Sequence, residues 1–153
     1  MTLEECSRRA WENGGFGVGD LSYYNKGLVA GLVLDAAIRS RTRGAKSLDD
    51  VMRALYRRYR MPNRGYAEDG LLASIAEVGG ADMAPLYRIL TQTTYDVPYG
   101  MLSGIGLGLD AGGEVVAPNG GADPRLKALY RGWLGRVERV VEQGQPEPDR
   151  GRH

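Results

Sequence analysis

One stretch constrains this chain more than any other: Ser22-Tyr23-Tyr24-Asn25-Lys26-Gly27-Leu28-Val29-Ala30-Gly31-Leu32-Val33-Leu34-Asp35. It is the longest apolar run, and it opens with two tyrosines and a lysine. Leu28 and Leu32, and Val29 and Val33, recur at i, i+4, with Ala30, Gly31 and Leu34 filling the faces between. A helix that is apolar all round is one buried on most sides. Gly27 and Gly31 stand four apart on one face, where another backbone could approach closely. Each costs the helix about 1 kcal/mol against alanine, which calls for a packing or functional reason. Ser22 suits the N-cap, placing Tyr23 and Tyr24 in the first turn with hydroxyls that can project past the helix end. A phenol at a helix N-terminus beside a lysine can donate to a developing negative charge. It can equally be a half-buried packing residue with a wet hydroxyl.

The rest of the chain reads as short helices. Thr2 and Glu5 form a capping box that opens a helix through about Trp11, ended by Asn13-Gly14-Gly15. The loop Gly15-Phe16-Gly17-Val18-Gly19 has neither a preceding strand nor a following Lys-Ser/Thr, so it is not read as a phosphate cradle. The central helix is expected to run to about Arg41, with Arg39, Arg41 and Arg43 near its negative end and Gly44 as the stop. Ser47 caps the next helix, with Asp49 and Asp50 in its first turn and Leu48, Val51, Met52, Leu55, Tyr56 and Tyr59 as its apolar face. Asp49 and Asp50 point about 100° apart, which suits capping better than acid–base chemistry. The basic residues Arg53, Arg57, Arg58 and Arg60 read as a solvated face.

Tyr66 to Val78 predicts a fourth helix terminated by Gly79-Gly80, with Leu71, Leu72, Ile75 and Val78 inward. Asp82 is expected to cap a fifth, striped by Leu86, Tyr87, Ile89 and Leu90. Pro98 opens a short helical turn. Weak alternation over residues 105–117 around Asp110-Ala111-Gly112-Gly113 predicts a small hairpin. Asp123-Pro124 opens a last helix, expected over 123–143, whose face carries Leu126, Leu129, Tyr130, Trp133, Val137, Val140 and Val141. Residues 144–153 read as a disordered tail. The fold class is therefore all-α, bundle-like, with about six helices in the whole chain: a helical part over residues 1–109, a Gly-rich linker over 110–122 and the last helix over 123–143.

Composition narrows the partners. With 153 residues there is room for one real core. A net charge of +1 gives no electrostatic reason to expect nucleic acid or an acidic membrane surface. The run from Leu28 to Leu34 is too short for a membrane span, and no signal-peptide pattern opens the chain. The single cysteine, Cys6, excludes an internal disulfide and slightly favours a reducing, cytoplasmic setting. Glu4 and Glu5 beside it disfavour a nucleophilic thiolate.

Tyr24-Asn25-Lys26-Gly27 resembles the Tyr-x-Lys-Gly motif of the gluzincin aminopeptidases, and the run from Ser22 resembles the glycyl aminopeptidase family, metallopeptidase family sixty-one. Thr2-Leu3-Glu4-Glu5-Cys6-Ser7 with Trp11, and Ser47-Leu48-Asp49-Asp50-Val51-Met52-Arg53, are similar to two more of its segments. Gly65-Tyr66 and Val97-Pro98-Tyr99 fall where it has short signatures. The similarity covers roughly residues 2 to 109, the C-terminal part of that catalytic domain. It implies a zinc-dependent hydrolase acting on peptides, with Tyr24 as the catalytic donor to the oxyanion and Tyr23 on the substrate-binding side.

The departure is as informative. Such an enzyme holds zinc with H-E-x-x-H on a helix and a later glutamate. This chain has one histidine, His153. The resemblance therefore implies the oxyanion tyrosine without the metal, and a chain inactive by itself. Its expected partners are the missing zinc-binding half, a second copy of itself, and a peptide substrate in the intact enzyme. Two other readings stay open: a stand-alone helical binding module descended from a peptidase, and an enzyme of another type using Tyr24 and Lys26 as a donor–base pair. A further expectation is that the chain either self-associates through the apolar surface around Trp11, Leu21, Tyr23, Tyr24 and Leu28 or covers that surface with its last helix.

Overall fold

Helix α2, Tyr23–Arg41, is the axis on which the other elements pack. The computed structural model describes residues 1–12, 22–62, 65, 67–113 and 116–135. Around α2 stand α1 (Leu3–Glu12), α3 (Leu48–Tyr59), α4 (Gly70–Gly79), α5 (Met83–Gln92), a 3₁₀ helix (Tyr99–Ile105) and α6 (Pro124–Leu134). The architecture is all-α. Its one β feature among the described residues is an antiparallel hairpin of β1 (Leu107–Leu109) and β2 (Val116–Pro118), with Gly108 opposite Ala117. The hairpin falls where the alternation of 105–117 placed it. Asp110 starts its turn by accepting the N–H of Gly113 at 3.0 Å, and Gly113 has φ +73°.

The C-terminal half of α2 is buried continuously from Val33 to Ile38 because it separates two apolar clusters. On one side Val33 and Ala36 meet Leu102 and Ile105 of the 3₁₀ helix, Leu107 of β1 and Leu129 of α6. On the other, Leu34, Ala37 and Ile38 meet Val51, Ile75 and Met83 from α3, α4 and α5. The N-terminal half is different. Tyr24 is 67% exposed and Leu28 72% exposed, so the helix is not buried on most sides along its whole length as its composition predicts. Hydrophobicity records which residues can be buried. It does not record how far the neighbouring elements reach.

Local capping follows the expected residues. Thr2 N donates to Glu5 Oε2 at 3.0 Å and Glu5 N to Thr2 Oγ1 at 3.1 Å, a complete box before α1. Ser47 N donates to Asp50 Oδ2 at 2.9 Å at the start of α3. Asp123 Oδ1 accepts from Leu126 N at 2.8 Å, with Pro124 next in line. Helix α2 ends at Arg41, and Gly44 (φ +83°) returns its N–H to Arg39 O at 2.7 Å.

Other expectations need correction. Helix α4 starts at Gly70 instead of Tyr66. Ala67, Glu68 and Asp69 supply no large apolar group to pack, and Tyr66 lies outside the described residues. Asp82 sits at the N-cap of α5 without a side-chain cap bond, and its carboxylate pairs with Arg41 instead. On α3, Met52 and Tyr56 are exposed, so the inward stripe is Val51 and Ala54 flanked by Leu48 and Leu55. Ile89 of α5 is also turned toward the surface. Helix α6 stops at Leu134, where Gly135 has φ +73°. Val137, Val140 and Val141, the tail over 144–153, and the glycine loop of residues 15–19 lie outside the described residues.

Helix α6 docks on its own domain as expected, and its described part packs against the 3₁₀ helix and not over the N-terminal end of α2. Leu129 enters the cluster of the 3₁₀ helix, supported by Leu126, Tyr130 and Trp133. Arg39 Nη1 donates to Gly132 O at 3.2 Å, fixing α6 beside the far end of α2. The described part of α6 thus leaves Trp11, Tyr24 and Leu28 uncovered.

Candidate functional site

The N-terminal end of α2 gathers the chemistry-bearing residues. Ser22, at φ −86° and ψ 120°, accepts from Asn25 N through Oγ at 3.4 Å. This cap places Tyr23 and Tyr24 in the first turn, with ring centroids 4.1 Å apart. Tyr23 is half-buried and Tyr24 stands in solvent. A hydrogen bond shared with Tyr24 is the main cause that raises the Tyr23 phenol above its ordinary value. Burial and the neighbouring Tyr24 and Cys6 groups act in the same direction. Tyr23 therefore keeps its proton through the neutral range.

Three faces of the first turns of α2 have three different surroundings. Tyr24 and Leu28, at i, i+4, form the exposed face. Lys26, Val29 and Ala30 line a cleft of about 290 Å³ closed by Leu90 of α5 and by Asp96 and Val97 of the following loop. Gly27, Gly31 and Leu34 line a mostly apolar groove of about 370 Å³ toward α1, α3 and α4. No backbone uses the two glycines for close approach among the described residues. A Cβ at Gly27 would meet nothing within 4 Å, and one at Gly31 would find Leu48 Cδ2 at 3.7 Å.

This arrangement separates Tyr24 from Lys26. Positions two apart lie about 200° around a helix. Lys26 faces the cleft, and its Nζ donates to Met1 O at 2.8 Å. Tyr24 is not among the residues lining that cleft. The donor–base pairing of Tyr24 with Lys26 is therefore corrected: the helix puts the two groups on opposite sides. The cleft instead joins Asn25 and Lys26 to Val97 and Tyr99, which are 71 or more positions further along the chain.

Cys6 is fully buried. Among the described residues there is no group of three or more His, Cys, Asp or Glu side chains placed to hold a metal, and the sequence contains one histidine. The residues present do not fit a zinc site of the H-E-x-x-H type. No helix is long and apolar enough to cross a membrane among the described residues.

The polar residue that the sequence reading missed is Asp35. It ends the apolar run, yet it is 9% exposed and accepts from Arg39 Nε and Leu48 N at 2.8 and 2.7 Å. Its spacing of four from Arg39 was the available signal. In comparisons with protein-family models, curated proteins and solved structures, nothing matches this chain.

Proposed function

We propose that this chain is the helical part of a zinc metalloaminopeptidase catalytic domain of the glycyl aminopeptidase type, with Tyr24 as the donor to the oxyanion. The observation that supports the reading is the exposure of Tyr24 at a capped helix start. Its phenol is presented outward, where the helix N-terminus favours negative charge. A donor aimed at an oxygen that gains charge lowers the barrier because it needs no reorganisation when the charge appears. Tyr23, whose ring centroid lies 4.1 Å from that of Tyr24 with the planes tilted by 31°, would border the substrate. Since the residues here do not fit zinc, hydrolysis requires a metal-binding half from another polypeptide segment, and the chain alone is inactive.

The test supplies a zinc-binding half carrying H-E-x-x-H and measures aminopeptidase turnover. Tyr24→Phe is expected to lower kcat by about 10² to 10³. KM should change little, because the donor acts in the transition state. Tyr23→Phe is the control and should be milder. Equal losses at the two positions would reassign Tyr24 to packing.

A further inference from the structure

The cleft beside Lys26 faces away from Tyr24, so what it binds is a separate question from hydrolysis. Its interior is apolar, formed by Val29, Ala30, Leu90 and Val97. Two residues of opposite charge, Lys26 and Asp96, are among those that line it. The Lys26 ammonium is held in place by its bond to Met1 O, which uses one of its three N–H donors. Two donors remain for a ligand. The ion pairs among the described residues involve neither Lys26 nor Asp96, so neither neutralises the other across the cleft. At about 290 Å³ the space lies just below the ~300 to 1,000 Å³ of drug-sized sites, which suits a ligand of few atoms.

We propose that this cleft binds a small zwitterion with an apolar body, of the α-amino-acid class, with its carboxylate on Lys26, its ammonium on Asp96 and its side chain against Val29 and Leu90. The charge pattern selects the class. A plain carboxylic acid gains Lys26 but is opposed by Asp96, and an amine meets the reverse. Only a molecule carrying both charges on one end satisfies both, and an apolar side chain then displaces water from the interior. The anchored ammonium lowers the ordering cost of binding.

The experiment titrates the full chain, without any zinc half, with L-leucine, with 4-methylpentanoate, which lacks the ammonium, and with 3-methylbutylamine, which lacks the carboxylate. Binding is read by calorimetry and by amide chemical shifts around Val29 and Val97. Leucine should bind about tenfold more tightly than either analogue, the usual size of one charged hydrogen bond. Asp96→Asn, at an exposed position, should remove the preference for leucine over 4-methylpentanoate. Lys26→Met should remove the preference over 3-methylbutylamine. Because Lys26 also anchors Met1, Val29→Phe serves as the second variant, filling the cleft and abolishing binding while the helical circular dichroism is retained. Failure of leucine to bind, equal binding of leucine and its deaminated analogue, or unchanged selectivity in Asp96→Asn would each overturn the assignment. None of these outcomes bears on Tyr24, which is read by turnover.

Discussion

The side chain of Asp35 accepts the backbone N–H of Leu48 at 2.7 Å, so the middle of α2 satisfies the first turn of α3. The other carboxylate oxygen accepts from Arg39 Nε at 2.8 Å, and Arg39 reaches on to Gly132 O at the end of α6. Two side chains that are each about 85% buried thus connect three helices. Asp35→Ala should cost about 3 to 5 kcal/mol, because it strands the buried guanidinium as well as the Leu48 N–H. Asp35→Asn, which keeps the acceptor for Leu48, should cost less. Urea unfolding measures both. A loss below about 1 kcal/mol for Asp35→Ala would show that the connection contributes little.

Two glycines should respond in opposite directions. Gly27 lies inside α2 with open space around its missing Cβ, so Gly27→Ala should stabilise the chain by about 0.5 to 1 kcal/mol through helix propensity. Gly44 sits at φ +83°, and its missing Cβ would lie 2.9 Å from Leu129 Cδ2. Gly44→Ala should therefore destabilise by about 1 to 3 kcal/mol. Thermal midpoints of the two variants, moving apart from that of the parent, check both signs at once.

What was legible in the sequence was local. Thr2 with Glu5, Ser22, Ser47 and Asp123 announce helix starts because a cap needs partners only three residues away. The hairpin was readable for the same reason, since its turn lies within Asp110–Gly113. Asp35 was not, because its partner Leu48 is 13 residues away and stands in a different helix. The site was half legible. Ser22 and its spacing put Tyr24 in the first turn, but the openness of Gly27 depends on how far α1 and α3 extend beside α2. The destination of α6 was likewise hidden. Its apolar stripe suits any apolar surface, and Arg39 with Leu129 decides which one it meets.

Acid should weaken the chain through two caps. The Glu5 carboxyl is held below its ordinary value of 4.5, first by the backbone N–H of Thr2. The Asp50 carboxyl is held below 3.8, first by the backbone N–H of Ser47. A lowered folded-state value means that the unfolded chain binds protons more readily in that range. The contribution is therefore complete above about pH 4.5 and is lost as pH falls below it, through the lowered values. Unfolding midpoints measured across this range should fall toward acid. The slope should flatten in Glu5→Gln with Asp50→Asn, and an unchanged slope in that double variant would assign acid sensitivity elsewhere.

The exposed face of α2 offers the last test, and it depends on where α6 docks. Had α6 covered Tyr24 and Leu28, removing residues 123–153 would uncover them. Since Leu129 packs against the 3₁₀ helix instead, that deletion should expose Leu102, Ile105 and Leu107. Removing Leu129 alone, as Leu129→Ala, should cost about 2 to 5 kcal/mol. Leu28 is already 72% exposed in the full chain and contributes an apolar surface there. Leu28→Glu should consequently reduce binding of a hydrophobic dye, and any self-association, while changing stability by no more than about 0.5 kcal/mol. Dye binding and sedimentation of the full chain, its Leu28→Glu variant and the 1–122 truncation separate the two surfaces. A large stability loss in Leu28→Glu would mean that Leu28 is covered in solution, and the docking surface for a missing half would have to be sought on another face of α2.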